Sequence, residues 1–397
     1  MIRLLGTTWN HTRGYAPLAA TANAYHVDHP AVDIQWERRS LQDLADFPIE
    51  TLAENYDLVV IDHPSVGAAA ASRCFLPLDE LLPVESLSTL AKQSVGKSHS
   101  SYNYDGHQWA LVIDAASHVS AYRPDLLQRF GVAVPQTWAE VLALAKEMHR
   151  SGHTTVAVPL IPVDCLMCFY TLCASSGEDP FSKDKRSIVG RGTGLRALDF
   201  FREILPISHP QCLYWNPVNV LDRMSSTDDV AYCPWLFGYS NYARQAYAAF
   251  RCHFTNIPTL EGGAPRGAIL GGTGLAVSSR CAYPDIAADY ALYVASAECQ
   301  RTLYFESGGQ PGNIEAWYDP GVNQASDNFF LATLDTLTHA YLRPRYAGYI
   351  HFQTQAGLIL HEFLKNGGNP VGVLEALDSL YLLTLDSTLS SKGTRVE

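Results

Sequence analysis

Two short segments carry side chains suited to holding a polar small molecule. Thr8-Trp9-Asn10-His11-Thr12-Arg13-Gly14-Tyr15 follows an apolar N-terminal run, and Asp62-His63-Pro64-Ser65 follows another. The indole face of Trp9, ringed by Asn10, His11 and Arg13, offers a stacking surface and directional partners. The structural alternative is a surface loop in which Trp9 covers a sheet edge. Farther along, Trp215 and the Trp235, Tyr239 and Tyr242 of PWLFGYSNY make a loop too aromatic for an ordinary connection. Packing of these rings on neighbouring helices is the competing reading. Gly271, Gly272 and Gly309, with Gln310, mark places where backbone amides can approach a ligand, although Gly308 and Gly309 also suit a helix end. Arg343 and Arg345 in LRPRY, together with Arg13, are permanent cations of the kind that grip carboxylates and phosphates. Pairing with nearby acids is their more ordinary use.

Catalytic signatures are sparse. The chain holds no HExxH, no P-loop and no GxSxG elbow. GRGTGLRAL has the wrong glycine spacing for a dinucleotide loop and reads as a turn and helix start. Cys165 follows an apolar strand at the opening of a helix, where a thiol's pKa is lowered, so a nucleophilic role deserves weighing against a buried small hydrophobe. Cys165 and Cys168 form a single CxxC, short of the four ligands that structural zinc requires. The histidines show no metal spacing. Asp62 and His63 are adjacent, and on an extended chain adjacent side chains point opposite ways, which argues for structural placement. The expectation is therefore no catalytic residue, no metal and no cofactor.

These groups need elements to position them. Ile2–Thr7, Val32–Arg38 and Tyr56–Asp62 read as strands, with helices at Pro17–His26 and Leu41–Glu54 between them. Continuous apolar strands alternating with helices predict a parallel sheet covered on both faces. Trp109–Tyr122 reads as one long strand leaving the first lobe. Helices follow at Arg123–Phe130 and Thr137–Arg150, the second with Thr137 and Glu140 at capping-box spacing. Thr154–Leu160 reads as a strand, residues 164–175 and 194–204 as helices, and Asp229–Pro234 as a strand before the aromatic loop. Gly267–Ser278 reads as the return strand, and from Ala325 the pattern is helical up to a polar, disordered tail.

At 397 residues and 47% hydrophobic composition the chain has material for two cores. Its net charge of −12 argues against the basic face that nucleic-acid binding normally needs, and no run is apolar for long enough to cross a bilayer. MIRLLGTT reads as a core strand where a secretory leader would stand. Nine cysteines, an odd number, fit reduced thiols better than a disulfide framework. The expected compartment is the cytoplasm for the sequence as given, or the periplasm if a leader precedes it.

The stretch GGTGLAVSSRCAYPDIAADYALYVASAECQRTLYFESGGQPG, Gly271–Gly312, sets a return strand, a helix and a glycine-rich loop in order. With YDLVVIDHP, WALVIDAASHVSAYRPDLL and VPQTWAEVLALAKEM it resembles the extracellular solute-binding proteins of carbohydrate ABC transporters, the maltose-binding-protein-like family. That resemblance implies an α/β, two-lobe periplasmic-binding-protein-like fold of type II, each lobe a mostly parallel sheet flanked by helices. It divides the chain into lobe one (1–113 and 268–324), lobe two (114–267) and C-terminal helices (325–397, with a polar tail at 390–397), with crossings near Asp114 and Gly267–Leu270. It implies a monomer that closes by hinge motion on a sugar-like, conceivably acidic, ligand and engages the membrane subunits of a transporter. With the residues read above from their position and chemistry, the candidate ligand residues are Trp9, Asn10, His11, Arg13, Asp62, His63, Asp114, Trp215, Trp235, Tyr239, Gly271, Gly272, Gly309, Gln310, Arg343 and Arg345. The rivals are a cytoplasmic enzyme on the same scaffold, using Cys165 or His11, Asp62 and His63, and a cytoplasmic ligand sensor.

Overall fold

The computed structural model describes residues 1–41, 48–152, 155–182 and 186–393, with side chains up to residue 385. Its strands are β1 (Ile2–Trp9), β2 (Val32–Arg39), β3 (Leu58–Asp62), β4 (Asn103–Tyr104), β5 (His107–Gln108), β6 (Leu111–Tyr122), β7 (Thr155–Val156), β8 (Val230–Phe237), β9 (His253–Thr255) and β10 (Leu270–Val277). The longer helices are α1 (Thr12–Asp28), α2 (Ile49–Asn55), α3 (Val66–Ser72), α4 (Val84–Lys92), α5 (Pro124–Phe130), α6 (Trp138–Ser151), α7 (Pro162–Ser175), α8 (Arg191–Ile204), α9 (Pro217–Ser226), α10 (Pro284–Ala295), α11 (Phe329–Thr338), α12 (Tyr349–Asn366) and α13 (Pro370–Gly393). Unit 1 comprises Met1–Ala116, Gly271–Asn323 and Pro344–Ile350; unit 2 comprises Ser117–Leu270, Gln324–Arg343 and His351–Glu397.

In unit 1 the strand order is β2-β1-β3-β10-β6. β1 runs parallel to β2 from Ile2↔Val32 to Trp9↔Arg39 and parallel to β3 at Gly6↔Leu58. The return strand β10 lies antiparallel to β3, Thr273 facing Asp62. The unbroken apolar run of β3 is explained by burial on both faces. Leu58 and Val60 enter a core with Leu4, Trp9, Leu18, Ile113, Leu275 and Tyr290, beneath α1 and α10. Val59 and Ile61 enter a second core with Val66, Phe75, Tyr102, Val112 and Ala276, beneath α2 and α3.

Unit 2 has a mixed sheet. β6 pairs antiparallel with β8, His118 facing Phe237 and Tyr122 facing Tyr232, with a bulge between Val119 and Ala121. It pairs antiparallel with β9, while β7 and β8 are parallel. Pairing here is therefore less parallel than continuous apolar strands suggest, because burial on both faces produces the same pattern in either orientation. α6 starts with the predicted capping box: Glu140 N–H donates to Thr137 Oγ1 at 3.2 Å and Thr137 N–H to Glu140 Oε2 at 3.1 Å. α7 is buried from Asp164 to Ser175, as an all-round apolar helix must be.

Several boundaries differ from expectation. β7 ends at Val156, because the N–H groups of Val158 and Leu160 turn away to Cys212 Sγ and to the Cys212 and Trp215 carbonyls. Trp235 belongs to strand β8, not to a loop. Helix α13 continues to Gly393, into the segment read as a disordered tail. Residues 42–47 of the expected Leu41–Glu54 helix, Thr154 at the start of the expected strand, 183–185 of the GEDPFSKDK loop and 394–397 of the tail lie outside the described residues.

Gly272 is the glycine whose freedom the fold most needs. Its φ is 98°, and a Cβ there would stand 2.4 Å from the Asp114 carbonyl oxygen. Gly272→Ala is expected to cost about 2–4 kcal/mol, left-handed strain plus displacement of β6. Urea unfolding of the variant checks this; a loss below the error of the measurement would contradict the packing.

Candidate functional site

At the carboxyl end of the unit 1 sheet, the described contacts bring several predicted residues together. His11 caps α1, its Nδ1 accepting from Arg13 N–H at 3.0 Å. Burial, assisted by the charge of Arg13, lowers the His11 pKa to about 4, so this imidazole is neutral near pH 7. Starting α1 here carries Arg13 inward, where Nε and Nη2 donate to Asp114 Oδ2 and Oδ1 at 2.7 and 2.5 Å. The two side chains are 4% and 0% exposed. Burial pushes the Asp114 carboxyl up, and the guanidinium opposes that shift.

Around this pair, Trp9 is buried with its ring against Gly14, where a Cβ would lie 2.4 Å from Cδ2. Asn10 is exposed and donates its N–H to the Arg39 carbonyl. Gln310 is fully buried: Nε2 donates to the Ala115 carbonyl at 2.8 Å, and the Ala115 N–H returns a bond to Gln310 O at 3.3 Å. Gly271 and Gly272 follow Leu270 at the start of β10, Gly272 lying against the Asp114 carbonyl, and Gly309 packs on Tyr304 so closely that a Cβ would lie 2.3 Å from the ring.

Asp62 and His63 do meet, contrary to the expectation from extended geometry. His63 begins a 3-10 turn, so the chain is no longer extended; its N–H donates to Asp62 Oδ1 at 2.8 Å and its Nδ1 lies 3.1 Å from the same oxygen. Three residues at this edge escaped the sequence reading. Tyr102 donates to the carbonyls of Ile61 and Gly272 at 3.2 and 3.3 Å, bracing β3 and β10. Thr273 Oγ1 and Tyr304 OH are buried without a protein hydrogen-bond partner. Tyr304 precedes the glycine loop by one turn, a usable signal; nothing in the sequence marks Tyr102.

Other predicted residues lie elsewhere. Arg345, in unit 1, donates through Nη1 to the carbonyls of Ser100, Ser101 and Asn103 at 3.1, 2.9 and 2.6 Å. Arg343, in unit 2, donates to Gln353 Oε1 at 2.9 Å. Trp235 is buried among Trp138, Phe200 and Phe201, with centroids 5.3, 5.8 and 6.2 Å away. Trp215 stacks on His209 at 4.2 Å, and Tyr239 is buried at the start of the turn leading to Tyr242, which donates to Asp222 Oδ1. Cys165 is wholly buried and donates to the Leu160 carbonyl at 3.2 Å; burial raises its pKa well above the ordinary thiol value, the opposite of the helix-terminus expectation.

Residues 20–327 match the family described as bacterial extracellular solute-binding protein. The chain belongs to that family. Among curated proteins it is similar to an arabinooligosaccharide-binding protein of Halalkalibacterium halodurans, 21% identical over 246 residues, 58% of this chain. The match spans about half of that relative's length, 53%. Among solved structures it is similar to an ABC transporter solute-binding protein of Agrobacterium radiobacter K84 in complex with ribitol, with TM-score 0.80, 19% identity, and 96% of this chain and 98% of that one covered. Maltose-bound MalE3 of T. maritima gives TM-score 0.81 at 15% identity, with 96% and 100% covered. The fold is thus the α/β fold of the periplasmic solute-binding proteins. No helix among the described residues is long and apolar enough to cross a membrane.

Two outcomes test the site's electrostatics. Asp114→Ala would strand a buried guanidinium and cost about 3–5 kcal/mol, whereas Arg13→Met with Asp114→Leu would recover most of that loss; chemical denaturation of both variants decides, and a single variant as stable as the double one would sink the account. The second concerns pH. His118, wholly buried with Nδ1 2.8 Å from Thr171 Oγ1, is lowered to about 3, mainly by burial and further by Arg343. With His11 at about 4 and unfolded histidine at 6.5, the unfolded chain binds more protons below pH 6.5. Stability is then full above that pH and lost as pH falls toward 3–4. His118→Gln is expected to flatten the decline in urea midpoint between pH 7 and 5.

Proposed function

We propose that this protein captures a small, uncharged, polyhydroxylated solute as the binding component of an ABC transporter. The observation that carries the reading is the carboxyl edge of the unit 1 sheet, where Trp9, Arg13, Asp114, Gly272 and Gln310 converge at the place where open α/β sheets bind ligands. Arg13 reaches this edge with its charge already matched by Asp114. Arg343 and Arg345 are committed to Gln353 and to backbone carbonyls. These engagements weigh against the acidic-ligand variant, which would need at least one cation directed at the solute.

From the predicted set, Trp9, His11, Arg13, Asp62, His63, Asp114, Gly271, Gly272, Gly309 and Gln310 are proposed to form or brace a ligand-binding edge of unit 1, with Asn10 at its exposed margin. In unit 2, Trp215 and Tyr239 remain proposed contacts, whereas the packing of Trp235 supports a core role for it. The enzyme alternative gains no support from Cys165, which burial holds as a thiol. The family is extracellular by its description. Eight of the nine cysteines are buried, so their chemistry is shielded in an oxidising or a reducing compartment alike.

Thermal melts with ribitol, maltose, an arabinooligosaccharide and glycerol 3-phosphate test the reading, followed by calorimetry on any compound that shifts the transition. A neutral binder at a hundred times its dissociation constant should add about 2.7 kcal/mol of stability. Stabilisation by glycerol 3-phosphate alone, or consumption of any compound, would overturn the assignment.

A further inference from the structure

Strand β2 keeps one open side. It ends the unit 1 sheet and pairs only with β1. The pairing runs from Ile2↔Val32 to Trp9↔Arg39 without a shift of register, so the strand is extended and unbulged over its whole length. Ile2 N–H donates to the Ala31 carbonyl and Asn10 N–H to the Arg39 carbonyl, each at 2.7 Å. Successive residues of an extended strand turn their N–H and C=O to opposite sides, so the odd-numbered residues bond β1 and the even-numbered ones look outward. Val32 is satisfied, its N–H donating to the His29 carbonyl and its own carbonyl meeting His26 Nδ1. The outward N–H and C=O groups of Ile34, Trp36 and Arg38 meet no protein partner among the described residues.

The side chains of β2 leave that edge accessible. Ile34 and Trp36 are buried under α1 with Leu18, Ala22 and Tyr25, and the Arg38 guanidinium lies 3.7 Å over the Tyr15 ring. On the other face Asp33, Gln35, Glu37 and Arg39 follow one another, with Gln35 and Glu37 exposed. Gln35 Nε2 donates to Asp33 Oδ2 at 2.9 Å, Tyr56 OH to Glu37 Oε2 at 2.7 Å, and Arg39 to the Val60 carbonyl. Sheet edges are ordinarily protected by a proline, a lysine, a bulge or a short strand. VDIQWERR has none of these.

We propose that β2 is a pairing edge for a second copy of this chain, set antiparallel about a two-fold axis at Trp36, so that the unit 1 sheet of one copy continues into that of the other. An axis normal to the sheet keeps like faces together, and the register must then match odd positions with odd and even with even. With the axis at Trp36, that residue faces its counterpart, Ile34 faces Arg38 of the other copy, and every outward N–H and C=O gains a partner. On the other face Asp33 meets Arg39 and Gln35 meets Glu37, an opposite-charge pair and a donor with an acceptor. Moving the axis to Gln35 sets Asp33 against Glu37 and calls on Val32, whose groups are taken; moving it to Glu37 sets that acid against itself. Charge complementarity thus selects one register, and selects a copy of this chain over an unrelated strand. The net charge of −12 opposes association, which places the contact among weak interfaces read at high concentration. The inference stands apart from the solute-capture reading.

Sedimentation velocity on the full chain between about 5 and 500 μM, the range of weak contacts, tests it. The parent should move from monomer toward dimer mass across that range. Gln35→Lys, facing Glu37, should tighten the dimer about 2- to 5-fold, and Asp33→Arg, facing Arg39, should weaken it roughly 5- to 30-fold. The second variant separates register from bulk repulsion, because it makes the chain less acidic and would strengthen any association limited by net charge. Hydrogen exchange of Val32–Arg39, read on the parent alone, should slow as concentration rises, since the N–H groups of Ile34, Trp36 and Arg38 become bonded only in the dimer. A chain that stays monomeric up to about 500 μM overturns the proposal. So does a dimer that Asp33→Arg leaves as tight as the parent, or one in which exchange of Val32–Arg39 is unchanged.

Discussion

The bidentate ion pair between Arg13 and Asp114 sets the conditions for the rest of unit 1. Two charges with almost no solvent exposure are tolerable only while each satisfies the other, so α1 and β6 are held in one relative placement. That placement depends on smaller features. His11 caps α1 so that Arg13 points inward, Gly14 leaves room for the Trp9 ring, and Gly272 lets β10 pass close to the Asp114 carbonyl. Gln310 then fastens the glycine loop to the next residue of β6. On the proposed reading, a prearranged polar edge of this kind suits hydrogen-bonding solutes better than charged ones, because its strongest charges already face each other.

The strands and helices that hold this edge were legible wherever burial writes a simple pattern. β3 reads as a continuous apolar run because both of its faces are covered, and α6 announces its start through Thr137 and Glu140. The sequence is silent where the outcome depends on a partner far along the chain. Nothing in VAVPLIP says that its N–H groups will turn to Cys212 and Trp215 and end β7 after Val156. Strand orientation in unit 2 is equally hidden, since an apolar strand buried on both faces looks the same in either direction.

For the candidate site, the sequence made legible which residues lie together more than how they are paired. Trp9, Arg13, Asp114 and Gln310 gather where the strand ends predict, yet Arg13 is matched by an acid more than a hundred positions away, a pairing that no local pattern reveals. Asp62 and His63 were misjudged because the chain leaves extended geometry between them. Trp235 carried the same aromatic signal as a ligand contact and proved to be packed among other rings, since an indole is as useful to a core as to a sugar.

The position of β10 has a consequence for how the chain is made. Unit 1 is assembled from separated stretches, and the residues that pair with β3 follow it by about two hundred positions. During synthesis β3 therefore spends most of the translation time as an open edge, with Val59 and Ile61 lacking the neighbour that covers their backbone. Closing so long a loop is slow more than it is costly, because loop entropy grows only with the logarithm of length. The nascent chain thus carries an adhesive strand until Gly271–Val277 emerges, and a holding chaperone or delayed collapse would protect it during that interval.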